Sequence, residues 1–102
     1  MNPSRQNPPT LAELRAKRHE ILALAERYGA YDVRVFGSVA RGNAEVDSDV
    51  DILVQFHAHS LLDRIGLQRQ LSDLLACHVD VVTEKMMKPH VRTMALRDAV
   101  RL

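Results

Sequence analysis

The stretch Gly37-Ser38-Val39-Ala40-Arg41-Gly42, followed after five residues by Ser48-Asp49-Val50-Asp51-Ile52-Leu53-Val54, joins two strand signals through a loop of small and acidic residues. Upstream, Tyr31, Val33 and Val35 alternate with Asp32, Arg34 and Phe36, the period-two pattern of a first strand that runs into Gly37. Downstream, Val50 to Phe56 reads as a second strand, with Val50, Ile52 and Val54 on one face and Asp51, Leu53 and Gln55 on the other. A Gly-Ser pair where a strand gives way to a helical turn can offer backbone amides and the Ser38 hydroxyl to an anion. Gly37 lets a phosphate come close because no side chain stands in the way. Asp49 and Asp51, two apart on a strand, project from the same face and repel each other. Hard oxygen ligands at this density suit Mg2+, which completes its shell with water and substrate phosphates.

Working outward, Thr10-Leu11-Ala12-Glu13 is a capping-box pattern that opens a helix running to about Tyr28, with Leu11, Leu14, Ile21, Leu24 and Ala25 on one face and Gly29 as its stop. Ser60 suits the N-cap of a second long helix through about Ala76, with Leu61, Ile65, Leu71, Leu74 and Leu75 available for the core. His78 to Val82 reads as a short third strand. Pro89 suits the first turn of a closing helix carried by Val91, Met94, Ala95 and Val100. The expected architecture is α+β, a small mixed sheet of about three strands with helices packed on one face. If the third strand lies parallel beside the second and the first is antiparallel to it, Asp80 meets Asp51, and Gly37-Ser38 arrive at the same end.

The chain has 102 residues, 46% of them hydrophobic and 26% charged, which fits one globular domain over residues 10–102 after a flexible, Pro-rich start at residues 1–9. No apolar run is long enough to span a membrane, and nothing near Met1 resembles a signal peptide, so the expected location is the cytoplasm. The single cysteine, Cys77, fits a reducing compartment. The net charge of +1 and four aromatic residues make no strong case for direct nucleic-acid binding. Charge is segregated, however: residues 31–56 carry five acidic and two basic side chains, residues 84–102 two acidic and five basic.

The order of these motifs resembles the nucleotidyltransferase superfamily typified by the polymerase-β palm, whose pattern is G-S, ten residues, then D-x-D; here the ten are Val39 to Ser48. More closely, the chain is similar to the minimal nucleotidyltransferases, the antitoxin members of HEPN/MNT toxin–antitoxin pairs. The likeness extends from the leading helix through G-S-x-x-R-G and S-D-x-D to the third-strand Asp80 and the closing helix. It implies that Asp49, Asp51 and Asp80 are the catalytic and metal-binding carboxylates, and that Gly37 and Ser38 hold the triphosphate. Two Mg2+ ions are expected during catalysis, one bridged by Asp49 and Asp51, the other shared with Asp80. Arg41 is expected either to neutralise phosphate charge or to brace the loop by pairing with Asp47 or Asp49.

The resemblance further implies transfer of AMP from ATP to a HEPN-type ribonuclease toxin, which would then form a hetero-oligomer with this chain. The short chain leaves little room to bind an acceptor, which favours a partner protein's surface. Two alternatives remain open: an antitoxin that acts by occlusion with a non-catalytic nucleotide site, and nucleotidyl transfer to RNA or a small molecule. Glu45 and Asp47 read as a solvated loop, His57 and His59 as surface residues, and Met86, Met87 and Met94 as packing or partner contacts.

Overall fold

The computed structural model describes residues 7–58 and 61–102; the expected N-cap Ser60, His59 and the first six residues of the expected flexible start lie outside them. The elements are α1 (Leu11–Ala16), α2 (Arg18–Arg27), β1 (Ala30–Phe36), α3 (Gly37–Arg41), β2 (Val50–Phe56), α4 (Leu61–Leu75), β3 (Val79–Val82), a 3-10 turn (Glu84–Met86), α5 (Pro89–Asp98) and β4 (Val100–Arg101). The Thr10 hydroxyl accepts from the Glu13 amide at 3.1 Å, as the capping pattern requires. The leading helix is divided at Lys17 into α1 and α2, a break its periodicity conceals because Leu14, Ile21 and Ala25 on both sides face the core.

The sheet order is β3-β2-β1-β4, with β1 antiparallel to both of its neighbours and β2 parallel to β3. The sheet therefore has four strands, one more than the pattern suggested. The extra one comes from the end of the expected closing helix: the backbone turns extended at Ala99, and Arg101 and Val100 pair with Arg34 and Val35. A strand of two residues has no period to read.

Val33, Val35, Val50, Ile52, Val54, Val79 and Val81 form the core face of the sheet, packed against Leu14, Ile21 and Ala25 and against Leu67, Leu71 and Leu75 of α4. The α4 positions recur every four residues, so Leu61 and Ile65, expected in the core, are 58% and 39% exposed instead. Tyr31 is likewise exposed rather than facing inward with Val33. Asp32 takes a left-handed φ of 54° in a bulge, and the extra residue reverses the faces upstream of it. The parallel crossovers β2-α4-β3 and β3-α5-β4 run in opposite directions across the sheet. Right-handedness therefore puts α5 on the face opposite α4. Leu53 and Ala95, buried outside the main cluster, fit a second small packing layer there.

Edge strand β3 is held by α4. The Val79 amide donates to Ser72 Oγ at 3.1 Å, the Val81 amide to Gln68 Oε1 at 2.8 Å, and Arg64 Nη1 donates to the Val81 carbonyl at 3.3 Å. These bonds occupy the outward-facing groups of an edge that would otherwise be open, and they fix the height of Asp80. Among the described residues, no helix is long and apolar enough to cross a membrane.

Candidate active site

Three strand ends meet where the acidic residues cluster. Phe36 at the end of β1 is opposite Asp51, and Asp51 is opposite Asp80 across the parallel pair. Odd-even alternation sends Val50, Ile52, Val79 and Val81 to the core and leaves Asp51 and Asp80 on the other face. Asp49 precedes β2 on an exposed turn, which Ser48 closes by accepting the Glu45 amide at 2.8 Å through its hydroxyl and by donating its own amide to the Glu45 carbonyl at 2.9 Å. Glu45 and Asp47 are exposed, as expected of a loop.

Gly37 begins α3 at φ +75°, and a Cβ there would run into the Asp51 carboxylate. The position therefore demands glycine twice over, for its backbone angle and for the space beside the acid. Half-buried Ser38 follows it, and its carbonyl accepts the Asn43 amide at 3.1 Å, closing the loop behind α3.

Burial and the neighbouring Asp80 and Asp49 carboxylates push the Asp51 carboxyl up from its ordinary 3.8 to about 6, against the opposing pull of Arg41 and His78. No ion pair among the described residues reaches Asp49 or Asp51. An uncompensated group of carboxylates beside a glycine-lined approach fits a divalent cation that carries a phosphate ligand. Arg41 does not brace the loop through Asp47 or Asp49. Its Nη1 bonds Asp98 Oδ2 at 2.8 Å, tying α3 to the end of α5, because α5 crosses that face of the sheet.

A family model described as the nucleotidyltransferase domain matches residues 20–102. The chain belongs to the nucleotidyltransferase domain family. This nucleotidyltransferase is 45% identical over 78 residues to the protein adenylyltransferase MntA of Thermococcus cleftensis, covering 76% of this chain and 79% of that one. It aligns with a solved structure described as a minimal nucleotidyltransferase at a TM-score of 0.80 and 47% identity, over 92% of this chain and 97% of that one. A Shewanella oneidensis complex of a tri-AMPylated HEPN toxin with an MNT antitoxin aligns at a TM-score of 0.65 over 85% of this chain and 69% of that one; at 18% identity the likeness is one of fold.

One residue beside these carboxylates is not marked by the sequence pattern. His78, just before β3, brings Nε2 to 3.0 Å from Asp80 Oδ1. Asp49, His78 and Asp80 each offer a ligand atom, all within 4.8 Å of one another. In sequence His78 is only the polar start of a strand; the parallel register alone brings it to Asp49. His57, by contrast, is on the surface, its ring stacked on Tyr31 with centroids 4.4 Å apart. Met86 and Met94 are 46% and 58% exposed, which leaves neither in the core.

Proposed function

We propose that this chain is a Mg2+-dependent protein adenylyltransferase that transfers AMP from ATP to a HEPN-type toxin in the cytoplasm and thereby neutralises it. The observation that carries the reading is the convergence of Asp49, Asp51 and Asp80 beside Gly37 at one end of the sheet. The names of the relatives support the transferred group and the acceptor: one is a protein adenylyltransferase, and in another the HEPN toxin beside the antitoxin carries AMP.

In this reading the bare Cα of Gly37 and the Ser38 hydroxyl admit the triphosphate, and Asp49, Asp51 and Asp80 hold the cations. When bound, Mg2+ would neutralise the triphosphate and stabilise the departing pyrophosphate. An acceptor hydroxyl oxygen attacks the α-phosphorus, the bond from that phosphorus to the bridging oxygen breaks, and pyrophosphate leaves. The hydroxyl proton passes to Asp80, whose side chain is 40% exposed and so within reach of a docked partner. Asp51 lies deeper and serves as a ligand only.

Incubating the chain with ATP, Mg2+ and its cognate toxin is expected to yield toxin heavier by one or more AMP units by intact mass. Asp49→Asn with Asp51→Asn is expected to remove that product. An unmodified toxin in the presence of the unaltered chain sinks the enzymatic reading, and a double variant that still silences the toxin favours occlusion.

A further inference from the structure

The Asp49, His78 and Asp80 cluster has a donor set that the three-carboxylate reading does not use. Nε2 of His78 and Oδ1 of Asp80 are 3.0 Å apart. Two donors bound at the tetrahedral angle to one Zn2+ through bonds of about 2.1 Å stand about 3.4 Å apart, so the pair needs to open by only about 0.4 Å to become neighbouring corners of its coordination shell. The His78 main chain is fixed as well: its carbonyl accepts the Val50 amide at 3.0 Å, which holds it beside the turn that carries Asp49. The ring is 59% exposed, so an ion reaches it from solvent without any opening of the fold. Mg2+ takes oxygen donors, whereas an imidazole beside two carboxylates favours the later first-row divalent ions and Zn2+.

We propose that Asp49, His78 and Asp80 form a nitrogen-containing site for a divalent transition ion, Zn2+ foremost, and that Zn2+ bound there inhibits the nucleotidyl transfer. The inhibition rests on the proposed function, since it follows from Zn2+ occupying two of the carboxylates that the reaction uses. The binding site itself does not.

Calorimetric titration of tag-free protein with Zn2+ and with Mg2+, without nucleotide or partner, tests the site in three forms: unaltered, His78→Ala and His78→Gln. Both variants are expected to weaken Zn2+ at least tenfold and to change Mg2+ affinity by less than twofold. Other histidines, such as His19 and His90, are untouched, so the difference belongs to His78. Glutamine can still hydrogen-bond Asp80 but is a poor zinc ligand. Unchanged Zn2+ affinity in His78→Gln, or equal loss of Zn2+ and Mg2+ in His78→Ala, overturns the proposal by reducing His78 to a support for Asp80. In the transfer assay, with each chain measured against its own zinc-free rate, added Zn2+ is expected to halve the rate of the unaltered chain at a concentration at least tenfold below that needed for His78→Ala; equal sensitivity of the two overturns the regulatory half. Zinc binding through His78 in a chain that transfers no AMP sinks the adenylyltransferase reading and leaves the metal site standing. Transfer without His78-dependent zinc binding does the reverse.

Discussion

At Asp51, burial and two facing carboxylates raise the carboxyl to about 6, so a metal-free protein near neutral pH holds an unfavourable charge in its folded state. A folded-state value above the unfolded one means that the stabilising contribution is complete below about 3.9 and is lost as the pH climbs through about 6. Replacing Asp51 with Asn removes that charge. Solvent screening of a half-exposed group trims the expected gain to about 1 kcal/mol, or about 4–8 °C in a domain of this size. Thermal melts in EDTA at pH 7.5 should show Asp51→Asn melting above the unaltered chain, with the two converging near pH 4; a variant that melts lower at pH 7.5 contradicts the account. Gly37 makes the complementary test. Gly37→Ala imposes a left-handed alanine, costing about 1–2 kcal/mol, and forces the Asp51 carboxylate aside. It is expected to remain folded by circular dichroism while AMP transfer falls by about 100-fold or more, the cost expected of a misplaced catalytic group.

Strands and helices differed in how legibly they were written. Strand β2 and its alternation were readable because Val50 to Phe56 stays in one period throughout. That period also placed Asp51 on the face away from the core. The bulge at Asp32 was not readable: one left-handed residue inverts the pattern without changing composition, and Asp tolerates that conformation as Asn does. Gly66 inside α4 reads as a weak point in a helix, yet a Cβ there would lie 2.5 Å from Tyr28 Cε1, so the glycine is what lets the end of α2 pack closely on α4. The hold of α4 on β3 was also hidden, because Gln68 and Ser72 look like ordinary polar helix positions until the edge amides of Val79 and Val81 are seen against them. Gln68→Leu strands the fully buried Val81 amide and is expected to cost about 1–3 kcal/mol. Gln68→Glu keeps an acceptor and should retain most of the stability. Urea midpoints measured side by side decide the point, and an equal loss in both variants would show that Gln68 acts through packing instead.

Over the whole molecule, the segregated charge of the sequence resolves into two kinds of acid. Asp32 and Asp98 are neutralised by the basic C-terminal region and by nearby arginines. Asp32 bonds Arg34 Nη2 at 2.7 Å and is 3.4 Å from Arg101, so its carboxyl is held below the ordinary range chiefly by the hydrogen bond from Arg34. Asp98 pairs with Arg41. Among the described residues Asp49 and Asp51 receive no such partner, and the deficit of residues 31–56 collects at the strand ends where Asp80 joins them. A divalent cation there should stabilise the entire fold, since an ion that binds only the native state adds about 2.7 kcal/mol at a hundredfold excess over its Kd. Protons compete for the same oxygens, and with Asp51 titrating at about 6 the competition falls within an accessible range. Saturating Mg2+ is therefore expected to raise the melting temperature by several degrees at pH 7.5 and by clearly less at pH 5. It should have no such effect on Asp49→Asn with Asp51→Asn at either pH. A Mg2+ shift of equal size at both pH values, or one that survives in the double variant, would place the cation somewhere other than these carboxylates.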